Sequence, residues 1–138
     1  MALSISDRAK LSDFFKTQPV VAVYLFGSQA TGLNNSQSDV DIAILFDESV
    51  KVKERFIKKL EILGTLTFLL KRDNIDLVVL NDAPIALRFS AIKPQELIYK
   101  ENNEKMISFE AKTLSDYQDY YYYINQNTID SLGSISQM

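Results

Sequence analysis

Two aspartates, Asp39 and Asp41, stand one residue apart inside the apolar run "DVDIAILF". On a strand, residues i and i+2 point to one face, so both carboxylates converge on the same side. Bare carboxylates at that range repel, and one is pushed towards protonation unless a cation neutralises them. Hard divalent ions with oxygen ligands answer this, and Mg²⁺ characteristically takes one or two protein carboxylates together with phosphate oxygens and water. Asp76 is the natural third member, because "IDLVVL" (Ile75 to Leu80) is the other strand-like run that carries an acidic residue. Three carboxylates on adjacent strands can hold two ions roughly 3.5–4 Å apart, which stabilises the attacking and leaving oxygens of phosphoryl or nucleotidyl transfer.

Gly27 and Ser28 precede Asp39 by a ten-residue loop. Glycine lets backbone approach a phosphate closely, and the amides and hydroxyl at Ser28 suit phosphate oxygens if a helical turn starts there. Each piece alone is ordinary: Gly-Ser after a strand is commonly a turn, Asp-x-Asp a solvated strand edge, and Asp76 a turn residue. Together they are sharper, since at frequencies of about 5–7% these four residues meet at these offsets by chance at about one part in 10⁵ per register.

The elements that must position these residues are readable from periodicity. Ser6 is expected to cap a helix over "DRAKLSDFFKTQ", stopped by Pro19. "VVAVYLF" (Val20 to Phe26) reads as a central strand covered on both faces, Gly27 to Ser38 as a loop or short turn, and Asp39 to Phe46 as the second strand. Over residues 50 to 72, Val52, Phe56, Leu60, Leu63, Thr67 and Leu70 recur at helical spacing as the expected buried stripe, with Gly64 a weak point. A third strand spans Ile75 to Leu80, a short helix follows Pro84, and "ELIYK" is a fourth, edge strand. A final helix from Asn103 to about Gln126 places Ile107, Ala111, Leu114, Tyr117, Tyr121 and Ile124 on one stripe expected to face inward, with a frayed tail over 127–138. The run Tyr120 to Tyr123 spans more than one turn and leaves Tyr120, Tyr122 and Tyr123 for a partner surface or for a wet, flat arrangement over the domain. The expected fold class is therefore α/β (α+β), a single domain over residues 1–138 with a small mixed sheet flanked by helices.

Composition narrows the chemistry. The chain of 138 residues has no cysteine and no histidine. That removes thiolate nucleophiles, Ser-His-Asp triads and Cys/His zinc sites, leaving carboxylates, hydroxyls, lysine, arginine or a bound cation. A net charge of −3 argues against direct binding of a long nucleic acid. No run approaches a membrane span and the N-terminus shows no secretory pattern, so a cytoplasmic location is the default expectation.

"LFGSQATG" and "SDVDIAIL", with their ten-residue spacing, resemble the first two motifs of the polymerase-β-type nucleotidyltransferase superfamily. More closely, the chain resembles the minimal nucleotidyltransferase (MNT) antitoxins of HEPN/MNT toxin–antitoxin pairs, over roughly Val20 to Gln126. The resemblance implies a polymerase-β palm-like fold using ATP and Mg²⁺, with two ions expected. It implies AMP transfer onto a tyrosine of a cognate HEPN ribonuclease, which is thereby silenced, and so a hetero-oligomeric partner. In that reading Gly27 and Ser28 bind phosphate, Asp39 and Asp41 ligate both ions, and Asp76 ligates the catalytic ion and helps deprotonate the attacking hydroxyl. Relatives commonly carry arginine in the loop where this chain has Gln29 and Thr31, which leaves Arg88, Lys71 or Arg72 to supply positive charge to the nucleotide. Two other functions fit the same residues: an antitoxin that blocks its toxin sterically, and a nucleotidyltransferase acting on a small molecule, the latter disfavoured by the short chain.

Overall fold

A computed structural model describes residues 3–26, 40–93 and 96–136, with side chains described as far as 127. Four strands, β1 (Val20–Phe26), β2 (Val40–Phe46), β3 (Ile75–Val79) and β4 (Glu96–Lys100), form one mixed sheet in the order β3-β2-β1-β4. β1 pairs antiparallel with β2 and β4, whereas β2 and β3 run parallel. β1 and β2 are wholly or almost wholly buried, as their unbroken Val/Ile/Leu runs require of strands covered on both faces. β4 is an edge strand, as its sequence suggests.

One face of the sheet is covered by α1 (Ile5–Phe15) and α2 (Val52–Leu70), the other by α3 (Ile85–Ile92) and α4 (Asn103–Ser136). Ser4, rather than Ser6, caps α1: its hydroxyl accepts from the Asp7 amide at 3.0 Å while the Asp7 carboxylate accepts from the Ser4 amide at 3.3 Å. This reciprocal box satisfies two of the helix's orphan donors, which a cap at Ser6 could not do with Ala9 three residues on.

The buried side of α2 differs from the expected stripe. Ile62, Leu66 and Leu70 face the core, whereas Val52, Phe56 and Leu60 are exposed. At its N-terminal end the inward position goes to Arg55, whose Nε and Nη2 donate to the Asp82 carboxylate at 2.9 and 2.7 Å and whose Nη1 donates to the Val50 carbonyl at 3.3 Å. Long charged side chains can lay their stems along apolar surface, so the charge at 55 concealed the true phase of the helix. The Arg55 guanidinium in turn lowers the Asp82 carboxyl below the usual carboxylate range.

Gly64 does not break α2. A methyl group there would have open space, with nothing within 4 Å. Gly64→Ala is therefore expected to stabilise the protein by about 0.5–1 kcal/mol, since alanine restricts the unfolded chain and favours helix; a rise in the urea midpoint at unchanged slope checks it.

α4 is ten residues longer than the expected end at Gln126, and its phase is also shifted. Met106, Phe109, Thr113 and Tyr117 turn inward, and Tyr117 stacks on Phe89 of α3 at 3.8 Å. Ile107, Leu114, Tyr121 and Ile124, expected inside, are exposed. Two polar residues take inner positions instead. Thr113 is fully buried, and Glu110 accepts from the hydroxyl of Tyr24, which is 1% exposed on β1. Burial and the neighbouring carboxylate push the Tyr24 phenol up, keeping it a neutral donor.

Lys105 ties the start of α4 to the turn after β2, donating to Asp47 at 2.8 Å and holding that carboxyl down at about 2 from 3.8. A carboxyl depressed in the folded state stabilises above its unfolded pKa and loses that contribution as the pH falls through the folded one. Between about pH 4 and about pH 2 the wild type should therefore lose more stability than Asp47→Asn, which urea midpoints across that window would show.

Candidate active site

Asp41 and Asp76 face each other across the parallel β2–β3 ladder, paired in register. Adjacent strands lie about 4.8 Å apart and in-register residues share a face, so both carboxylates can reach one ligand. Phe26, the last residue of β1, is the register partner of Asp41 on its other side. The pair thus sits where β1 ends and β2 and β3 begin. Asp41 alternates with Ala43 and Leu45, and Asp76 with Val78, all of which pack beneath α3 and α4, so the two carboxylates lie on that same face. Asp41 is half-buried and Asp76 exposed, which makes the pair accessible without leaving two charges in the core.

Beyond Asp76 a cleft of about 510 Å³ runs along the open edge of β3, between the start of α2 and the start of α3. Arg55 and Lys59 line it from α2, Asp82 and Leu87 from the other wall. Arg55 is committed to Asp82, so Lys59 is the cleft cation that the described residues leave outside an ion pair. Nothing local in the sequence marks Lys59; the packing of α2 beside β3 puts it on the wall of the cleft that Asp76 also lines.

Arg88 lies on α3, over the sheet face that bears the aspartates, but not among the residues lining the Asp76 cleft. Its side chain is 23% exposed, it lies 3.9 Å from the Asp116 carboxylate on α4, and its buried Nε has no hydrogen-bond partner among the described residues. Arg72 bonds Asn74 at 2.7 Å through its Nε, and Lys71 closes α2 in the left-handed conformation at φ 53°. Gly27, Ser28 and Asp39, with Gln29 and Thr31, fall outside the described residues. Of the three expected carboxylates the structure therefore places two, side by side. Among the described residues these form a pair, and no group of three or more metal-ligating side chains occurs. Their donor chemistry, two carboxylates reachable by one ligand, fits a hard cation such as Mg²⁺.

An aspartate pair in register at the mouth of a mixed sheet is the arrangement expected for nucleotidyl transfer, and the chain belongs to the polymerase beta nucleotidyltransferase family, whose model matches residues 9–104. Among particular proteins it is 30% identical, over 95 residues, to the protein adenylyltransferase MntA of Aphanizomenon flos-aquae (strain 2012/KM1/D3); the match covers 65% of this chain and 63% of that protein's length. In fold it is similar to a crystal structure of a toxin–antitoxin with AMP-PNP, at a TM-score of 0.71 and 24% identity, covering 91% of this chain and 97% of that one. It is also similar to a chain in the structure of the tri-AMPylated Shewanella oneidensis HEPN toxin in complex with MNT antitoxin, at a TM-score of 0.66 and 24% identity, covering 92% and 96%. No helix among the described residues is long and apolar enough to cross a membrane.

Proposed function

We propose that this chain is an antitoxin that transfers AMP from ATP onto a tyrosine of a cognate HEPN-family ribonuclease and so neutralises it. The observation that carries the reading is the in-register Asp41–Asp76 pair in a chain of the nucleotidyltransferase family. The 30% identity to a protein adenylyltransferase, and the likeness in fold to a toxin–antitoxin holding an ATP analogue, support protein as acceptor and ATP as donor.

In the reaction the acceptor's phenol oxygen forms a bond to the α-phosphorus of ATP, the bond from that phosphorus to the bridging oxygen breaks, and pyrophosphate leaves. Asp41 and Asp76, with Asp39, would hold Mg²⁺, which when bound supplies charge neutralisation for the phosphates and lowers the pKa of the attacking hydroxyl. Asp76, the more exposed of the described pair, takes up the hydroxyl proton. Gly27 and Ser28 hold the phosphate oxygens. Lys59 and Arg88 are the cations that offset the missing loop arginines, Arg88 by virtue of a buried Nε that no acceptor among the described residues satisfies. A buried donor left without an acceptor is costly, and a phosphate oxygen would satisfy it.

Incubating the purified chain with ATP, Mg²⁺ and the toxin encoded beside it is expected to add AMP units to the toxin, read by intact-mass spectrometry. An unmodified toxin, with both proteins folded, would overturn the proposal.

A further inference from the structure

α4 climbs the sheet in the same direction as β1. Its first residues lie at Val21, whose carbonyl accepts from the Asn102 amide at 3.5 Å, and two turns later Glu110 meets Tyr24. With a rise of about 1.5 Å per helical residue against about 3.3 Å per strand residue, the helix passes the end of β1, and hence the level of Asp41, at about residue 114. It continues to Ser136, and every described side chain from Gln118 to Asn127 is exposed. So α4 projects past the mouth at which the acceptor must arrive.

The projecting helix carries an apolar stripe that the chain's own core does not use. Ile107, Leu114 and Tyr121 recur every seven residues and are 55%, 46% and 56% exposed, with Ile124 beside them at 43%. Residues seven apart lie on nearly the same side of an α-helix, and large exposed apolar stripes mark interaction surfaces. Beyond Asp116, which Lys112 holds at 3.0 Å, the helix carries Asp119 and Asp130 and no lysine or arginine.

We propose that this outward stripe of α4, centred on Leu114 and Tyr121, is the docking rail for the AMP-accepting ribonuclease. The inference rests on the function proposed above and adds to it the surface that delivers the acceptor. Two observations select this occupant. A protein whose tyrosine enters at Asp41 must stand beside whatever projects past that end, and α4 does. A ribonuclease also needs a basic surface to hold phosphates, which complements a helix end that bears carboxylates and no cations. A second copy of this chain would instead bring another cation-free acidic helix end.

Leu114→Ser combined with Tyr121→Ser tests it, both side chains being about half exposed so that the fold should persist, as an unchanged melting temperature would show. Binding to the purified neighbouring toxin, measured without ATP, is expected to weaken at least tenfold. KM for toxin in AMP transfer should rise by a similar factor, with kcat and AMP-PNP affinity unchanged. Asp119→Lys should weaken toxin binding at low salt and lose that effect as salt rises. Wild-type toxin affinity in the double variant, or absence of binding by the wild-type chain, would overturn the docking rail. So would a self-association that the variant dissolves while toxin affinity stays the same. Because binding is read without nucleotide, a wild-type chain that binds but transfers no AMP would count against the proposed function alone.

Discussion

Asp41→Asn is expected to lower AMP transfer to the toxin by roughly 100-fold or more, since even residues that only support metal ligands cost about 10–100-fold when changed. The substitution keeps the size and shape of the side chain and removes its charge, so the half-buried position on β2 remains filled. Measuring the melting temperature of the metal-free variant beside that of the wild type separates a defect of chemistry from a defect of folding. Asp76→Asn should behave in the same way, and the double variant should be little worse than either single one, because residues acting as a unit are strongly non-additive. Retention of more than a tenth of the wild-type rate, by radiolabelled AMP incorporation, would remove Asp41 from the proposed site. Neutralisation of the toxin in cells by an Asp41→Asn chain that no longer transfers AMP would place the antitoxin effect in binding.

Phe46→Ala is expected to cost about 3–5 kcal/mol, the range for emptying a fully buried aromatic position. Phe46 closes β2 and is 1% exposed in the core between the sheet and α1/α2. Its backbone is held independently of its ring: the amide donates to Asn81 Oδ1 at 2.8 Å, and the carbonyl accepts from Asn81 Nδ2 at 3.0 Å. The Asn81 side chain thus continues the β3 edge of the ladder where β3 has turned into the 3-10 helix Leu80–Asp82. With that clamp in place the strand cannot readily shift to fill the void, so the loss should lie towards the upper end of the range. Denaturant unfolding would measure it, and a loss below about 1 kcal/mol would show that the site collapses around the missing ring.

The strands were readable because their signals are local. Val20–Phe26 matches the expected first strand, the second and third begin or end within one residue of expectation, and Pro84 opens α3 as its missing amide hydrogen allows. Strand burial could be read as well, since unbroken β-branched runs fit only a doubly covered position. The helix phases could not. In both α2 and α4 the expected stripe held only in part: Leu63, Leu70 and Tyr117 pack inward, but its other large apolar members lie outside, because some inner positions go to polar residues bonded across the fold. Arg55 is satisfied by Asp82, twenty-seven residues away, and Glu110 by Tyr24, eighty-six residues away. No window of sequence contains such a pair.

The candidate site divides along the same line. Residue order alone excluded histidine and cysteine chemistry, singled out Asp39, Asp41 and Asp76 as candidates, and put Asp41 and Asp76 in strands. It also carried the family likeness, through the Gly27-Ser28 to Asp-x-Asp spacing. Only the tertiary structure decided that β2 and β3 are parallel neighbours with Asp41 opposite Asp76, that Lys59 lines the cleft beside them, and that Arg88 leans towards Asp116. The physical reason is that strand order and register are set by how the two helical layers bury both faces of the sheet, a balance over the whole chain that no local spacing encodes.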